Sequence, residues 1–304
     1  MSLTLPAVSP PSARTLTSRV GAYVALTKPR IIELLLVTTL PTMVVAARGI
    51  PSGWLMLATL VGGTLAAGGA NAFNMYVDRD IDRIMRRTRN RPLVTGAVTP
   101  RAALVFAFAI EGAAFVELWG AVNLLSAVLA VSATLFYVFV YTLWLKRTST
   151  QNIVIGGAAG AVPVLVGWAA VTGRLAFAPL LLFGVIFLWT PPHFWALAVR
   201  YREDYAAAEV PMLPVVSSLG ATARQIVLYT ALMSAASLAF APLAGMGILY
   251  VVVAGVLGAV FMAKAVQLLI SRNARHAMGL FGYSITYLTL LFAAMAADVL
   301  LRRI

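Results

Sequence analysis

Residues 53–82 read GWLMLATLVGGTLAAGGANAFNMYVDRDID. No charge occurs from Gly53 to Val77. An α-helix rises 1.5 Å per residue, so about twenty such residues cross the ~30 Å hydrocarbon core of a bilayer. Immediately afterwards come Asp78, Asp80 and Asp82. A membrane helix that runs straight into an acidic cluster decides both the fold and where its chemistry lies.

The same length criterion applied outward from this stretch gives nine candidate spans: 31–48, 53–76, 102–119, 121–142, 152–172, 176–198, 223–242, 245–269 and 280–300. Composition agrees with a lipid solvent. Of 304 residues, 61% are hydrophobic and 11% charged, too few charges to cover a soluble surface. No linker or shift of composition divides the spans, so residues 26–304 read as one transmembrane domain. Residues 1–20 hold Ser, Thr, Pro and Arg without the apolar core of a secretory signal, and 1–25 read as a disordered cytosolic tail. A mitochondrial presequence is the second reading, since no acid precedes Glu33. The absence of cysteine excludes disulfides, thiolate metal sites and a cysteine nucleophile.

The net charge of +13 would suggest nucleic acid in a soluble domain. Here it follows the loops. With the N-terminus in the cytosol, 19 of the 23 Lys and Arg residues fall on the inner side, and only Arg48, Arg174, Arg302 and Arg303 fall outside. That is the positive-inside asymmetry of a plasma-membrane protein, and it leaves no call for a nucleic-acid partner. The inner membrane of a bacterium is the expected location, that of a mitochondrion the alternative.

The acids carry more information than the bases. Six of the ten lie in two cytosolic segments, 78–82 and 203–209. Asn74, Asp78 and Asp82 are spaced i, i+4, i+8, which keeps them on one helix face, drifting about 40° and rising about 6 Å per step. Asp80 points elsewhere. A face of oxygen ligands without imidazole or sulfur suits a hard cation such as Mg2+, which is usually shared between a few carboxylates and substrate phosphates. Arg83, Arg86, Arg87, Arg89 and Arg91 follow; guanidinium forks beside a metal are what a diphosphate requires. A solvated juxtamembrane charge run is the plainer alternative. It accounts for the arginines, but not for Asn74 one turn inside an apolar helix.

The second segment runs from Thr190-Pro-Pro-His193-Phe-Trp195 through Arg200-Tyr-Arg-Glu-Asp204-Tyr to Pro211-Met-Leu-Pro214. It leaves the membrane on the same side, so Asp204 is expected to face Asp78 and Asp82 across a cytosolic opening. Pairing of Glu203 and Asp204 with Arg200 and Arg202 is the alternative.

Asn74-x-x-x-Asp78-x-x-x-Asp82, followed by Arg87-Thr-x-x-Arg91-Pro-Leu, resembles the signature of the UbiA-type intramembrane prenyltransferases. Leu26-Thr-Lys-Pro-Arg-Ile, Tyr141-Thr-x-Trp-Leu-Lys146-Arg147, Asn152-x-x-Ile-Gly-Gly-Ala-Ala-Gly160-Ala, Pro191-Pro-His-Phe-Trp195, Arg202-Glu-Asp-Tyr205, Pro211-Met-Leu-Pro and Ser284-x-x-Tyr-Leu resemble its haem-farnesylating branch. The resemblance implies nine transmembrane helices around a central cavity that opens at the cytosolic side. It implies that farnesyl diphosphate, haem B (protohaem IX) and water give haem O and diphosphate, with Mg2+ as cofactor. Partners implied beyond the bilayer are a downstream haem-modifying enzyme or a terminal oxidase assembly. It places Asn74, Asp78, Asp82 and Asp204 on the metal and diphosphate, and makes Arg87, Arg91, Lys146 and Arg147 the diphosphate clamp. Many relatives carry two aspartates four apart in the second segment. Here Arg200 and Ala208 flank Asp204 at that spacing, which puts a two-aspartate second metal site in doubt.

Chemistry supplies an expected course: diphosphate departs, a haem vinyl carbon attacks the allylic cation, and water quenches the product cation. Tyr76, Tyr141, Trp144, Trp189 and Trp195 are candidates for an aromatic wall around such a cation, or for the interfacial belt of a membrane protein. His193, about two turns inside its span, either ligates haem iron or moves a proton, or is a neutral histidine bonded to another helix, with Thr190 or a carbonyl freed by the prolines as candidate partners. His276 reads as solvated. Glu111 and Glu117 have no role legible in the sequence. A quinone-type acceptor is the runner-up function. A transporter is third, disfavoured because the acids sit at one surface rather than at mid-membrane.

Overall fold

The computed structural model of the protein describes residues 16–302, without the side chains of 16–18, 30, 31 and 33–36. Among the described residues there is no strand. The elements are α1 (Leu16–Thr27), α2 (Pro29–Ala47), α3 (Gly53–Val77), α4 (Arg79–Ile84), α5 (Pro100–Ala121), α6 (Leu124–Leu135), a π-helical segment (Phe136–Leu145), α7 (Lys146–Thr148), α8 (Asn152–Thr172), α9 (Phe177–Arg200), α10 (Arg202–Ala207), α11 (Leu213–Val216), α12 (Leu219–Ala244), α13 (Ile248–Ser271) and α14 (Ala274–Leu301).

Among the described residues, eight helices are long and apolar enough to cross a membrane: α3, α5, α6 with its π segment and α7, α8, α9, α12, α13 and α14. The expected first span, 31–48, coincides with α2, a helix of 19 residues, of which only Val37–Ala47 registers as a shorter apolar helix. Eight spans are therefore established where nine are expected. The outward faces suit lipid. On α5, Val105, Phe108, Val116 and Trp119 are all exposed, an apolar surface that water would not tolerate over such an extent.

Each long helix packs on the next in chain order, from α2–α3 and α3–α5 through to α13–α14, and α14 returns to α2. The helices thus close a ring. Contacts between α2 and α8 and between α9 and α14 cross it. Small residues allow the close approaches. A Cβ at Gly167 of α8 would stand 2.9 Å from the Thr39 carbonyl oxygen of α2. Along α3, Gly62 and Gly69 make room for Glu117 and Glu111 of α5, whose carboxyl oxygens a Cβ would meet at 2.1 and 2.5 Å.

The ends of the ring differ as the charge asymmetry requires. At one, Arg302 donates to the Gly245 carbonyl at 2.6 Å, and Asp298 accepts from the Gly247 and Tyr250 amides at the start of α13. That is a helix cap supplied from a neighbouring helix. At the other end the α1–α2 junction, α4, α7 and α10 come together over the two acidic segments.

Two expectations need correction. The tail assigned to 1–25 is helical from Leu16 onward. Tyr23 and Leu26 lie three apart and so share a helix face. Leu26 is fully buried, and Tyr23 meets Phe106 of α5 edge-on at 5.1 Å. Residues 1–15, and with them Arg14, lie outside the described residues, as does Arg303. The span assigned to 121–142 runs on to Thr148 and is not a regular α-helix. Phe136–Leu145, rich in aromatic and β-branched side chains that lose rotamer freedom in an α-helix, is π-helical over ten residues. Stretches of π-helix are rare and concentrate at functional sites.

Candidate active site

The joint between α3 and α4 decides whether the i, i+4, i+8 spacing becomes a face. It does. The Asp78 amide donates to the Asn74 carbonyl at 2.9 Å, and the Asp82 amide to the Asp78 carbonyl at 2.8 Å. The helical ladder therefore continues through Asp78. Asn74, Asp78 and Asp82 are all buried, whereas the Asp80 side chain is 61% exposed. A charge run held only for solvation would not bury two of its three aspartates.

Burying carboxylates is costly unless cations and donors meet them, and each has such a partner. Lys146 donates to Asp78 Oδ2, which also accepts from Asn74 Nδ2 at 2.8 Å. Arg91 Nη1 reaches both oxygens of Asp82, at 2.8 and 2.7 Å. Arg147 forks onto Asp80 at 2.8 and 2.9 Å, donates to the Val77 carbonyl, and lies 3.8 Å from Asp78 Oδ1. Its guanidinium holds the Asp80 carboxyl well below the usual range. A depressed carboxyl pKa keeps that pair charged until strong acid.

The second acidic segment meets the first through two arginines. Arg86 Nε is 3.9 Å from Asp204 Oδ1, and Arg87 donates to the buried Tyr205 hydroxyl at 3.5 Å, with its guanidinium 5.5 Å from the Tyr201 ring centre. Asp204 thus turns toward α4 and has no ion pair with Arg200 or Arg202 among the described residues. Arg83 and Arg89 are exposed.

Two residues of this site escape sequence reasoning. Lys28, between α1 and α2, donates to Asn74 Oδ1 at 2.7 Å. Its backbone is left-handed, at φ 53°, a conformation that costs a non-glycine residue about 1–3 kcal/mol and recurs at functional sites. Burial first, and then the charges of Arg91 and Lys146, pull its ammonium pKa well below the ordinary value, against Asp78 and Asp82. The second is Thr142 of the π segment, fully buried, whose Oγ1 accepts from Asn74 Nδ2 at 3.1 Å.

The donor set fits a hard divalent cation. Asn74, Asp78 and Asp82 offer only oxygen, and Asp78 Oδ1 is buried with no hydrogen-bond partner, an atom a cation would satisfy. Among the described residues no three Asp, Glu or His side chains converge. Asp82 and Asp204 instead face arginines, so substrate oxygens and water would complete the coordination, as Mg2+ commonly permits.

Deeper in the ring, His193 of α9 is buried. It stacks on Trp189 at 4.2 Å, with Phe281 of α14 at 4.7 Å. Its partner is not Thr190, which bonds the Ile186 carbonyl, but Ser284, with Nδ1 2.6 Å from Oγ. Ser284 Oγ donates to the Phe281 carbonyl at 2.6 Å. Its one proton being spent there, it accepts from Nδ1–H, which leaves a lone pair on Nε2. Trp189 Nε1 donates to the Ser284 carbonyl, so the Pro-Pro-His segment and the late Ser-x-x-Tyr segment form one unit. Of the aromatic candidates, Trp189 and Trp195 are buried in the bundle rather than in an interfacial belt, Trp144 is 60% exposed, and Tyr76 and Tyr141 are half-buried. Tyr141 stacks on Tyr137 at 5.3 Å. His276 is half-buried and meets Ser271 at 2.6 Å.

A ring of membrane-length helices with carboxylates and cations gathered over one end is the architecture of an intramembrane prenyltransferase, and the chain belongs to the UbiA prenyltransferase family, whose model matches residues 35–296. It is 54% identical over 297 residues to protoheme IX farnesyltransferase of Leifsonia xyli subsp. xyli, covering 97% of each chain. It is 55% identical over 302 residues to protoheme IX farnesyltransferase of Kineococcus radiotolerans, covering 93% of this chain and 89% of the relative. Among solved structures, one described as a digeranylgeranylglyceryl phosphate synthase in membranes has the same fold, with TM-score 0.77, 17% identity, and 92% and 98% of the two chains covered. A UbiA homolog from Archaeoglobus fulgidus bound to DMAPP and Mg2+ aligns with TM-score 0.63 at 17% identity, covering 90% and 99%.

Proposed function

We propose that this protein transfers a farnesyl group from farnesyl diphosphate to a vinyl group of haem B, with addition of water, giving haem O and diphosphate. Near-full-length identity of about 54% to relatives that bear that name is the observation that carries the reading.

Asn74, Asp78 and Asp82 would hold Mg2+, with Asp204 contributing from the other segment. When bound, the ion neutralises charge on the departing diphosphate. Lys28, Arg87, Arg91, Lys146 and Arg147 take the diphosphate oxygens. Charge-assisted bonds of this kind are the strong ones, and strengthen as the leaving group gains charge. Cleavage of the C1–O bond leaves the electron pair on diphosphate and a cation on the allyl group. The haem vinyl π pair forms the new C–C bond. Water adds to the resulting cation next to the macrocycle and loses a proton. The stacked Tyr137 and Tyr141 rings offer π-faces to the allylic cation. Protonation of His193 on Nδ1 supports haem-iron ligation or proton transfer through Nε2, because a ligating histidine commonly donates its other N–H to a fixed acceptor. The N-terminus is cytosolic, in the plasma membrane of a bacterium.

Two experiments test the reading. In the first, purified protein receives farnesyl diphosphate, Mg2+, and equal concentrations of haem B and 4-hydroxybenzoate. Farnesylated, hydroxylated haem is the expected product. Farnesyl on the benzoate with haem untouched would refute the haem reading in favour of a quinone-type acceptor. In the second, His193→Ala binds added haem with an altered absorbance spectrum and at least about tenfold weaker affinity. An unchanged spectrum, affinity and rate would remove His193 from both roles.

A further inference from the structure

We infer that Thr142 is a positioning residue for the metal. It fixes the Asn74 carboxamide with Oδ1 turned toward the cation, through a hydroxyl whose proton the π segment has already taken. This rests on the proposed role of Asn74, Asp78 and Asp82.

An asparagine can bind a cation only through its carbonyl oxygen, so the amide must not flip. Asn74 has three side-chain partners. Its Nδ2 donates to Asp78 Oδ2 and to Thr142 Oγ1, and its Oδ1 accepts from Lys28. Two of these are charged and are themselves drawn to the ligands. A cation on Oδ1 would displace the Lys28 ammonium and compete for the Asp78 carboxylate. Thr142 alone is neutral and competes for neither metal nor diphosphate. It is fully buried, so water cannot take its place.

Which way a hydroxyl points is ordinarily free, and a hydroxyl that donated to Asn74 would hold the amide the wrong way round. The π segment removes that freedom. Thr142 Oγ1 donates at 2.8 Å to the carbonyl of Tyr137, five residues back. With its proton committed there, Oγ1 offers Asn74 only lone pairs, and those select the N–H2 side of the amide. The same segment ends at Leu145, immediately before Lys146 and Arg147, so one helical irregularity sets the acceptor for Asn74 and delivers the two cations that face Asp78 and Asp80.

The test is a titration of the purified full-length protein with Mn2+, followed by electron paramagnetic resonance without farnesyl diphosphate, so that no turnover contributes. Thr142→Val keeps the shape and loses the acceptor. It is expected to weaken Mn2+ binding by about tenfold or more, within the range of losses when a ligand's supporting partner is removed. Thr142→Ser, which keeps the hydroxyl, stays within about threefold of the parent, and Asp78→Asn abolishes binding. In an Asn74→Asp background, where no amide needs orienting, the Thr142→Val loss disappears. If Thr142→Val does not fold, Thr142→Ala carries the same expectation. Loss of binding in Asp78→Asn with none in Thr142→Val, or equal losses in the Val and Ser variants, overturns the inference and leaves the metal site standing. Parent-like Mn2+ binding by Asp78→Asn overturns the metal site, and this inference with it.

Discussion

Asp78→Asn and Asp82→Asn each lower kcat/KM for farnesyl transfer by at least about a thousandfold, with folded protein still in the membrane. Three tenfold steps correspond to about 4 kcal/mol of transition-state stabilisation, which is within what a metal ion contributes to a developing anion. Both carboxylates are buried on the face that carries Asn74, and the amide replacement keeps size while removing the charge a cation needs. Asp80→Asn is the internal control. Asp80 belongs to the same run of sequence, but its side chain is exposed and its partner is Arg147; exposed pairs are worth little. Its loss should stay within about tenfold, through a less well-held Arg147. Equal effects at all three aspartates, measured as initial rates of haem farnesylation, would restore the solvated charge run.

Chelation with EDTA abolishes turnover by a comparable factor, at least about a thousandfold, and added Mg2+ restores it. The donors proposed for the ion, Asn74, Asp78 and Asp82, are oxygens alone, which favours a hard ion over a softer one. Ca2+ is expected to restore much less than Mg2+, because it prefers six to eight ligands at longer distance and neutralises a diphosphate less tightly. Undiminished rates in EDTA would leave Lys28, Lys146 and the arginines as the only stabilisers of the leaving group.

Much of this was legible in the chain, for reasons that can be named. Asn74, Asp78 and Asp82 follow a periodicity fixed by helix geometry, so their shared face and the different direction of Asp80 could be read from spacing; that this face is the buried one came from the structure. Span positions followed from the thickness of a bilayer. Lys28 stood within the Leu26-Thr-Lys-Pro-Arg-Ile stretch but drew no site role, because its charge is indistinguishable from any other on the inner side; in the structure it lies at a left-handed turn and donates to Asn74. Thr142 was hidden by the π segment, which shifts every following side chain relative to an α-helical count. The structure removes the alternative that paired Asp204 with Arg200 and Arg202, and gives His193 a partner on another helix, Ser284 rather than Thr190. Arg86 and Ser284 lie 118 and 91 residues from Asp204 and His193, and only the closing of the ring brings those segments together. The helix at 16–27 was missed because a composition of Ser, Thr and Pro upstream masked the spacing of Tyr23 and Leu26.

The most direct test of the central claim is an experimental structure with Mn2+ and a thio analogue of farnesyl diphosphate that cannot ionise. The account predicts anomalous density for Mn2+ within direct coordination distance of Asn74 Oδ1 and an Asp78 oxygen, about the 2.0–2.1 Å of the Mg2+ it replaces, with diphosphate oxygens completing the shell and Lys28 moved from Asn74 onto the diphosphate. Density elsewhere, with Lys146 and Arg91 still closed on Asp78 and Asp82 and the analogue bound away from them, would contradict it.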